Sequence, residues 1–292
     1  MSVVIASAHL SWDRIETLVF AGGGNRCWWQ GGLIKELQAR GLSLPRLLVG
    51  TSAGAAVAAA SLTHTLEAAL AECQRLYAQN SRVFDWRRLA RLELAFAHQH
   101  IYPKWLQSII DAGSWERLKH CASDLQVAVT HPAPWLGLHG SVWAGTVAYL
   151  LDKKLLHAIH PRLPHSLGLK LAFYSLKDCA QEGQARDLLS AAGAAPPVMK
   201  ARRLFGRWAF DGGYVDNAPL PPQTEAQKAS TLVLLTRFYP KLPTLFQWQG
   251  RTYWQPSRKV PVSTWDCRPQ TTVAQAFELG QCDAQRMAAA LR

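Results

Sequence analysis

The chain is predicted to adopt an α/β fold with a largely parallel central sheet, on three observations. Short apolar runs alternate with helix-forming stretches over most of the 292 residues. The runs Leu18-Val19-Phe20, Leu47-Leu48-Val49 and Leu232-Val233-Leu234-Leu235 are apolar throughout, so the sheet they build is covered on both faces. The first two runs end in glycine-bearing turns that lead directly into helical sequence.

The elements follow in order. Residues 16–21 read as a buried strand running into Gly22-Gly23-Gly24-Asn25-Arg26, and a helix covers about 28–40, with Leu33, Ile34 and Leu37 at helical spacing and Gly41 as its stop. Strand 46–49 and a helix from about 53 flank Gly50-Thr51-Ser52-Ala53-Gly54. Residues 64–122 are mostly helical, 125–130 form a strand, and Val142 to His160 a helix. A strand at 169–174 and a helix over 184–192 precede Pro196-Pro197. The short apolar stretch 207–210 ends in Asp211-Gly212-Gly213, 231–235 is a buried strand, 238–269 lacks periodicity and reads as a loop-rich cap, and 273–291 is a closing helix.

The chemistry is concentrated where strands end. Ser52, between a strand and a helix and flanked by Gly50 and Gly54, has the layout of a nucleophile elbow. Such a turn forces the serine into a sparsely populated conformation and lifts its hydroxyl clear of the sheet. Three successive glycines, Gly22, Gly23 and Gly24, can turn their N–H groups toward one point because no Cβ intervenes. That is the geometry of an oxyanion hole, in which one lost donor costs about 3 to 4 kcal/mol of transition-state stabilisation. A dinucleotide-binding loop is the competitor, but Cys27 stands at the third glycine of G-x-G-x-x-G and no acidic residue lies near position 42.

Asp211 is the candidate base. No histidine follows it, since the last of the ten is His165, whereas the hydrolase order is Ser, Asp or Glu, then His. A triad from Ser52, Asp152 and His157 or His160 stays open, but a Ser52–Asp211 dyad is the simpler assignment. An ordinary aspartate near pKa 3.9 is a weak base, so a desolvated site is required.

These motifs, in this order, resemble the patatin-like phospholipases. Ser190-Ala191-Ala192 with Pro196-Pro197, and Tyr214-Val215-Asp216-Asn217-Ala218-Pro219-Leu220, are also similar to the family. The likeness is strong over residues 14–62 and 186–236 and faint between. It implies a three-layer α/β/α fold, a Ser–Asp dyad and hydrolysis of acyl esters of phospholipid or glyceride. Ser52 then becomes the nucleophile and Asp211 the proton acceptor, followed by the Gly212-Gly213 pair. Gly23 and Gly24, with Gly22 or the Arg26 amide, become the oxyanion hole. Cys27 departs from the family's usual glycine; beside Trp28-Trp29 it reads as a buried structural thiol. Residues 1–237 form the acylhydrolase domain, with the insertion at about 64–122, and 238–292 a cap segment and closing helix packed on it.

Composition bounds the setting. Six cysteines without CxxC or zinc-like spacing read as reduced thiols of a cytoplasmic protein, and no metal or cofactor is expected. The start lacks a basic n-region, and no run of 18 apolar residues exists. A net charge of +12 with 12 tryptophans predicts transient contact with an anionic membrane surface, through the basic-aromatic regions 81–110 and 241–265. No nucleic-acid motif accompanies the charge. The partner is therefore a lipid substrate. Two rivals stand beside this reading: an inactive patatin-fold scaffold, supported only by Cys27, and a secreted effector with the same chemistry.

Overall fold

The computed structural model describes residues 10–86, 96–151, 159–160 and 163–287. The expectations placed on Asp152, His157, Arg87, Arg88, Leu89 and Arg91 lie outside the described residues.

Nine strands form one mixed sheet: β1 (Thr17–Phe20), β2 (Leu47–Thr51), β3 (Asp124–His131), β4 (Lys170–Ser175), β5 (Arg202–Leu204), β6 (Arg207–Asp211), β7 (Thr231–Leu234), β8 (Leu245–Trp248) and β9 (Arg251–Trp254). Their order is β5-β6-β3-β2-β1-β7-β9-β8, with β4 also paired to β3. The run β3-β2-β1-β7-β9 is parallel; β4, β5, β6 and β8 are antiparallel additions at its edges. Within 238–269, read as a loop-rich cap, the structure instead adds two strands. Their registry through Tyr253 and Trp254 onto Val233 and Leu234 extends the sheet, and only four residues per strand left too little periodicity to detect.

Ten helices among the described residues cover both faces: α1 (Trp28–Ala39), α2 (Ala53–Leu62), α3 (Leu66–Ala78), α4 (His98–Gln107), α5 (Ala112–His120), α6 (Gly137–Leu151), α7 (Leu163–Ser166), α8 (Glu182–Ala192), α9 (Glu225–Ala229) and α10 (Val273–Met287). Side chains of each strand alternate between layers. Leu18 and Phe20 join the large core made with α1, α2, α3, α8 and α10, whereas Val19 faces Val49, Val233 and Tyr253 on the other side. The expected helix over 142–160 begins earlier, at Gly137, and is described to Leu151.

Close approaches decide where small residues stand. α2 is buried along nearly its whole length, and a Cβ on Gly54 would lie 2.7 Å from the Phe20 carbonyl oxygen. α1 and α10 touch backbone to backbone, because Gly32 meets the Phe277 carbonyl and Gly280 that of Trp29. The indole of Trp29 then reaches across to donate to Asp283 Oδ2 at 2.8 Å.

Candidate active site

The register of β3 brings Ser52 and Asp211 together. One edge of β3 carries β4 over residues 126–131; the other carries β2, ending at the pair Thr51↔Ala128. The next β3 residue on that second edge, Val129, pairs with Asp211. β2 and β6 therefore approach end to end along one edge, and the residue after Thr51 faces the last residue of β6. Asp211 is tied there by its amide to Ala194 O at 2.9 Å and by Thr130 Oγ1 donating to its carbonyl at 3.0 Å.

Ser52 has φ 55° and ψ −138°, a conformation that costs of order 1–3 kcal/mol for a residue with a Cβ. Gly50 and Gly54 make the turn sterically feasible: a Cβ on Gly50 would fall 2.9 Å from Ala55 Cβ. Ser52 Oγ donates to Asp211 Oδ2 at 2.6 Å, while Asp211 Oδ1 accepts from the Gly213 amide at 2.8 Å. Burial raises the Asp211 pKa to about 6 against the lowering effect of these two hydrogen bonds. A carboxylate so desolvated, on a hydroxyl at the N-terminus of α2, is a stronger base than a solvated one.

The glycine loop lies beside this pair. Gly22 is clamped: its amide donates to Asn217 O at 2.7 Å, and its carbonyl accepts from Asn217 Nδ2 at 2.7 Å and Thr236 Oγ1 at 2.6 Å. The Arg26 amide donates to Gly23 O at 3.3 Å, closing the short 3-10 helix Gly24–Cys27. Both amides offered by sequence as a third oxyanion donor, Gly22 and Arg26, thus donate to carbonyl groups within the protein. The amides of Gly23 and Gly24 donate to no protein acceptor among the described residues. Gly24 has φ 55°, and a Cβ there would stand 2.9 Å from Thr264 Cγ2.

Sequence reasoning passed over the residues that hold this loop. Asn25 donates to Ser263 O and Asp266 O and accepts from Tyr77 OH at 2.8 Å, while its own amide reaches Thr264 O at 3.1 Å. Asn217 clamps Gly22; an amide side chain four residues past the Gly212-Gly213 pair was the available signal. His160 does not approach Ser52. It pairs through Nδ1 with Asp216 Oδ2 at 2.6 Å and through Nε2 with Tyr253 OH at 2.9 Å, so the open triad alternative fails for His160. Cys27 is buried, its thiol pKa pushed well above the ordinary range by desolvation, which leaves no thiolate at neutral pH.

Two cavities meet at Ser52. One is apolar, lined by Val57, Ile101, Trp105 and Met199 with the buried His98, whose pKa burial lowers to about 4. The other, about 290 Å³, is more polar and is lined by Arg26, Asp211, Tyr214 and Asn217. Among the described residues no cluster of His, Cys, Asp or Glu is suited to a metal ion.

The model of the patatin-like phospholipase family matches residues 18–222, which spans both Ser52 and Asp211. The chain belongs to the patatin-like phospholipase family. As a patatin-like phospholipase it is a lipid acylhydrolase, and its α/β/α layering is the one its motifs implied. Among solved structures, VipD from Legionella pneumophila matches 98% of this patatin-like chain and 70% of its own length, at 13% identity and a TM-score of 0.47. No curated protein matches the sequence significantly. No described helix of this patatin-like protein is long and apolar enough to cross a membrane.

Proposed function

We propose that this patatin-like protein is a serine acylhydrolase that cleaves acyl esters of phospholipid or glyceride through an acyl-enzyme, with Ser52 as nucleophile and Asp211 as proton acceptor. The observation that carries the reading is the 2.6 Å hydrogen bond from Ser52 Oγ to a buried Asp211 carboxylate of raised pKa. Asp211 takes the serine proton as Oγ adds to the acyl carbonyl. The tetrahedral oxyanion is held by the Gly23 and Gly24 amides and the N-terminal end of α2. The proton passes from Asp211 to the departing alcohol oxygen as the ester C–O bond breaks. Water then gives a proton to Asp211 and adds to the acyl carbon, the proton returns to Ser52, and free fatty acid leaves.

The two cavities support a division of the substrate. The apolar one suits the acyl chain and the polar one, with Arg26 on its wall, the alcohol or headgroup side. The net charge of +12 supports transient contact with an anionic membrane from which lipid is drawn.

A serine-directed fluorophosphonate tests the core of this reading. Wild type is expected to label and to release fatty acid from short acyl esters. Ser52→Ala is expected to do neither, and Asp211→Asn to label far more slowly. A wild type inert to both probe and esters would favour the scaffold alternative and sink the proposal.

A further inference from the structure

α6 is apolar on its outward side as well as its inward one, unusual for a helix facing water. Its outward stripe, at spacing i, i+4, i+7/8 and i+11/12, consists of His139, Trp143, Thr146, Val147, Leu150 and Leu151, all exposed. Its inward face holds the buried small residues Ser141, Gly145 and Ala148, with Leu138 and Val142 packed partly buried on the cluster of Leu169, Phe210 and Val215. A helix on a soluble surface keeps its large apolar residues inward and turns charged or polar ones outward. Trp143 is 72% exposed, and Trp135 just before the helix is 71% exposed. No Asp, Glu, Lys or Arg occurs from residue 132 to 151. An uncharged apolar stripe of this length marks a surface that meets an apolar partner.

The position of the stripe identifies that partner. Gly145 lets α6 settle on the turn after Asp211, where a Cβ would stand 3.2 Å from Tyr214 Cδ1. On the next turns, Thr146 and Leu150 line the polar cavity that opens onto Ser52. The apolar stripe is therefore continuous with the rim of the cavity through which a lipid must pass.

We propose that the outward stripe of α6, with Trp135, is the surface by which this protein docks on a lipid bilayer, so that the Ser52 cavity opens toward the membrane. The proposal rests on the acylhydrolase reading for its purpose but not for its test. Indole rings settle at the bilayer interface, where an apolar body and an N–H are both accommodated. The absence of charge lets Val147, Leu150 and Leu151 sink past the headgroups. The surplus of basic residues elsewhere attracts an anionic leaflet. Of the basic-aromatic regions expected to fill this role, Trp105, Ile109, Phe246, Tyr253 and Trp254 are core residues, whereas Trp86 and Trp265 are exposed.

The test pairs Trp143→Ser with Val147→Ser, since neither residue lines the cavity. Co-sedimentation with vesicles of phosphatidylcholine and phosphatidylglycerol is compared with hydrolysis of a soluble short-chain ester. Wild type is expected to bind vesicles. The double variant is expected to bind roughly tenfold or more weakly, following the apolar burial lost, and to cleave the soluble ester at the wild-type rate. Quenching of tryptophan emission by brominated lipid should fall in parallel. Wild type that ignores vesicles, or a double variant that binds them equally, would overturn the proposal. So would light scattering showing that the stripe holds a second copy, with a dimer that the double variant breaks. A protein that binds vesicles through α6 yet cleaves no ester would spare this proposal and defeat the acylhydrolase reading.

Discussion

At the residue scale, Asp211 is held in a condition that costs stability at neutral pH and that the proposed mechanism uses. Its carboxyl is buried among β3, β6 and the elbow, and its pKa rises from 3.8 to about 6. The folded state thus holds this proton more tightly than the unfolded chain does. The stabilisation from this group is complete below the unfolded value, near pH 4, and is lost as pH rises through about 6. A shift of this size corresponds to about 3 kcal/mol, as an order of magnitude. Two outcomes are expected together. The kcat/KM profile for a soluble ester should rise on an acidic limb near pH 6, as Asp211 must be ionised to accept the serine proton. Asp211→Asn, which keeps the shape and removes the charge, should lower kcat/KM by roughly 10²–10⁴-fold. Its melting temperature at pH 8 should be no lower than that of wild type. A large loss of stability in that variant would mean that the ionised carboxylate holds the fold together, contrary to its burial.

At the element scale, the site depends on glycines that let elements touch. α1 carries the chain away from the glycine loop, and α10 pins α1 from outside through Gly32 and Gly280. Adding a methyl at Gly280 drives it into the Trp29 carbonyl, which belongs to a helix already locked by the Trp29–Asp283 hydrogen bond. Gly280→Ala should therefore lower stability by about 1–3 kcal/mol in a denaturant titration, the usual cost of overpacking. A neutral result would show that α10 slides freely on α1. The strands illustrate what can be seen locally. β1, β2 and β7 announce themselves as apolar runs because both faces are covered. β5, β8 and β9 do not, since three or four residues carry too little pattern and Arg202, Arg203, Gln247, Arg251 and Thr252 interrupt their apolar content.

At the scale of the whole molecule, charge and apolar surface act at different ranges. In the proposed docking, the net charge of +12 attracts an anionic leaflet, and this attraction is screened over about 10 Å at 0.1 M salt and about 3 Å at 1 M. Binding to vesicles rich in phosphatidylglycerol should therefore exceed binding to pure phosphatidylcholine. That excess should collapse between 0.1 and 1 M salt, leaving the salt-insensitive part contributed by the apolar stripe. Equal binding to both vesicle types at low salt would remove any role for the net charge.

Much of the site was legible from the chain alone. The motifs around Ser52, the glycine loop and Asp211 are local, since a tight turn, a close approach or a strand end dictates residue types within five positions. The sequence by itself therefore determined the α/β class, the family and the candidate pair. Only the tertiary structure decided that Ser52 and Asp211 sit within a hydrogen bond, because that depends on β2 and β6 sharing one edge of β3 across 159 residues. It alone decided that Asn217 and Thr236 hold the Gly22 carbonyl while Asn217 O takes the Gly22 amide. It alone left Trp143, Val147, Leu150 and Leu151 of α6 uncovered, because hydropathy records how apolar a helix is and not which side its neighbours cover.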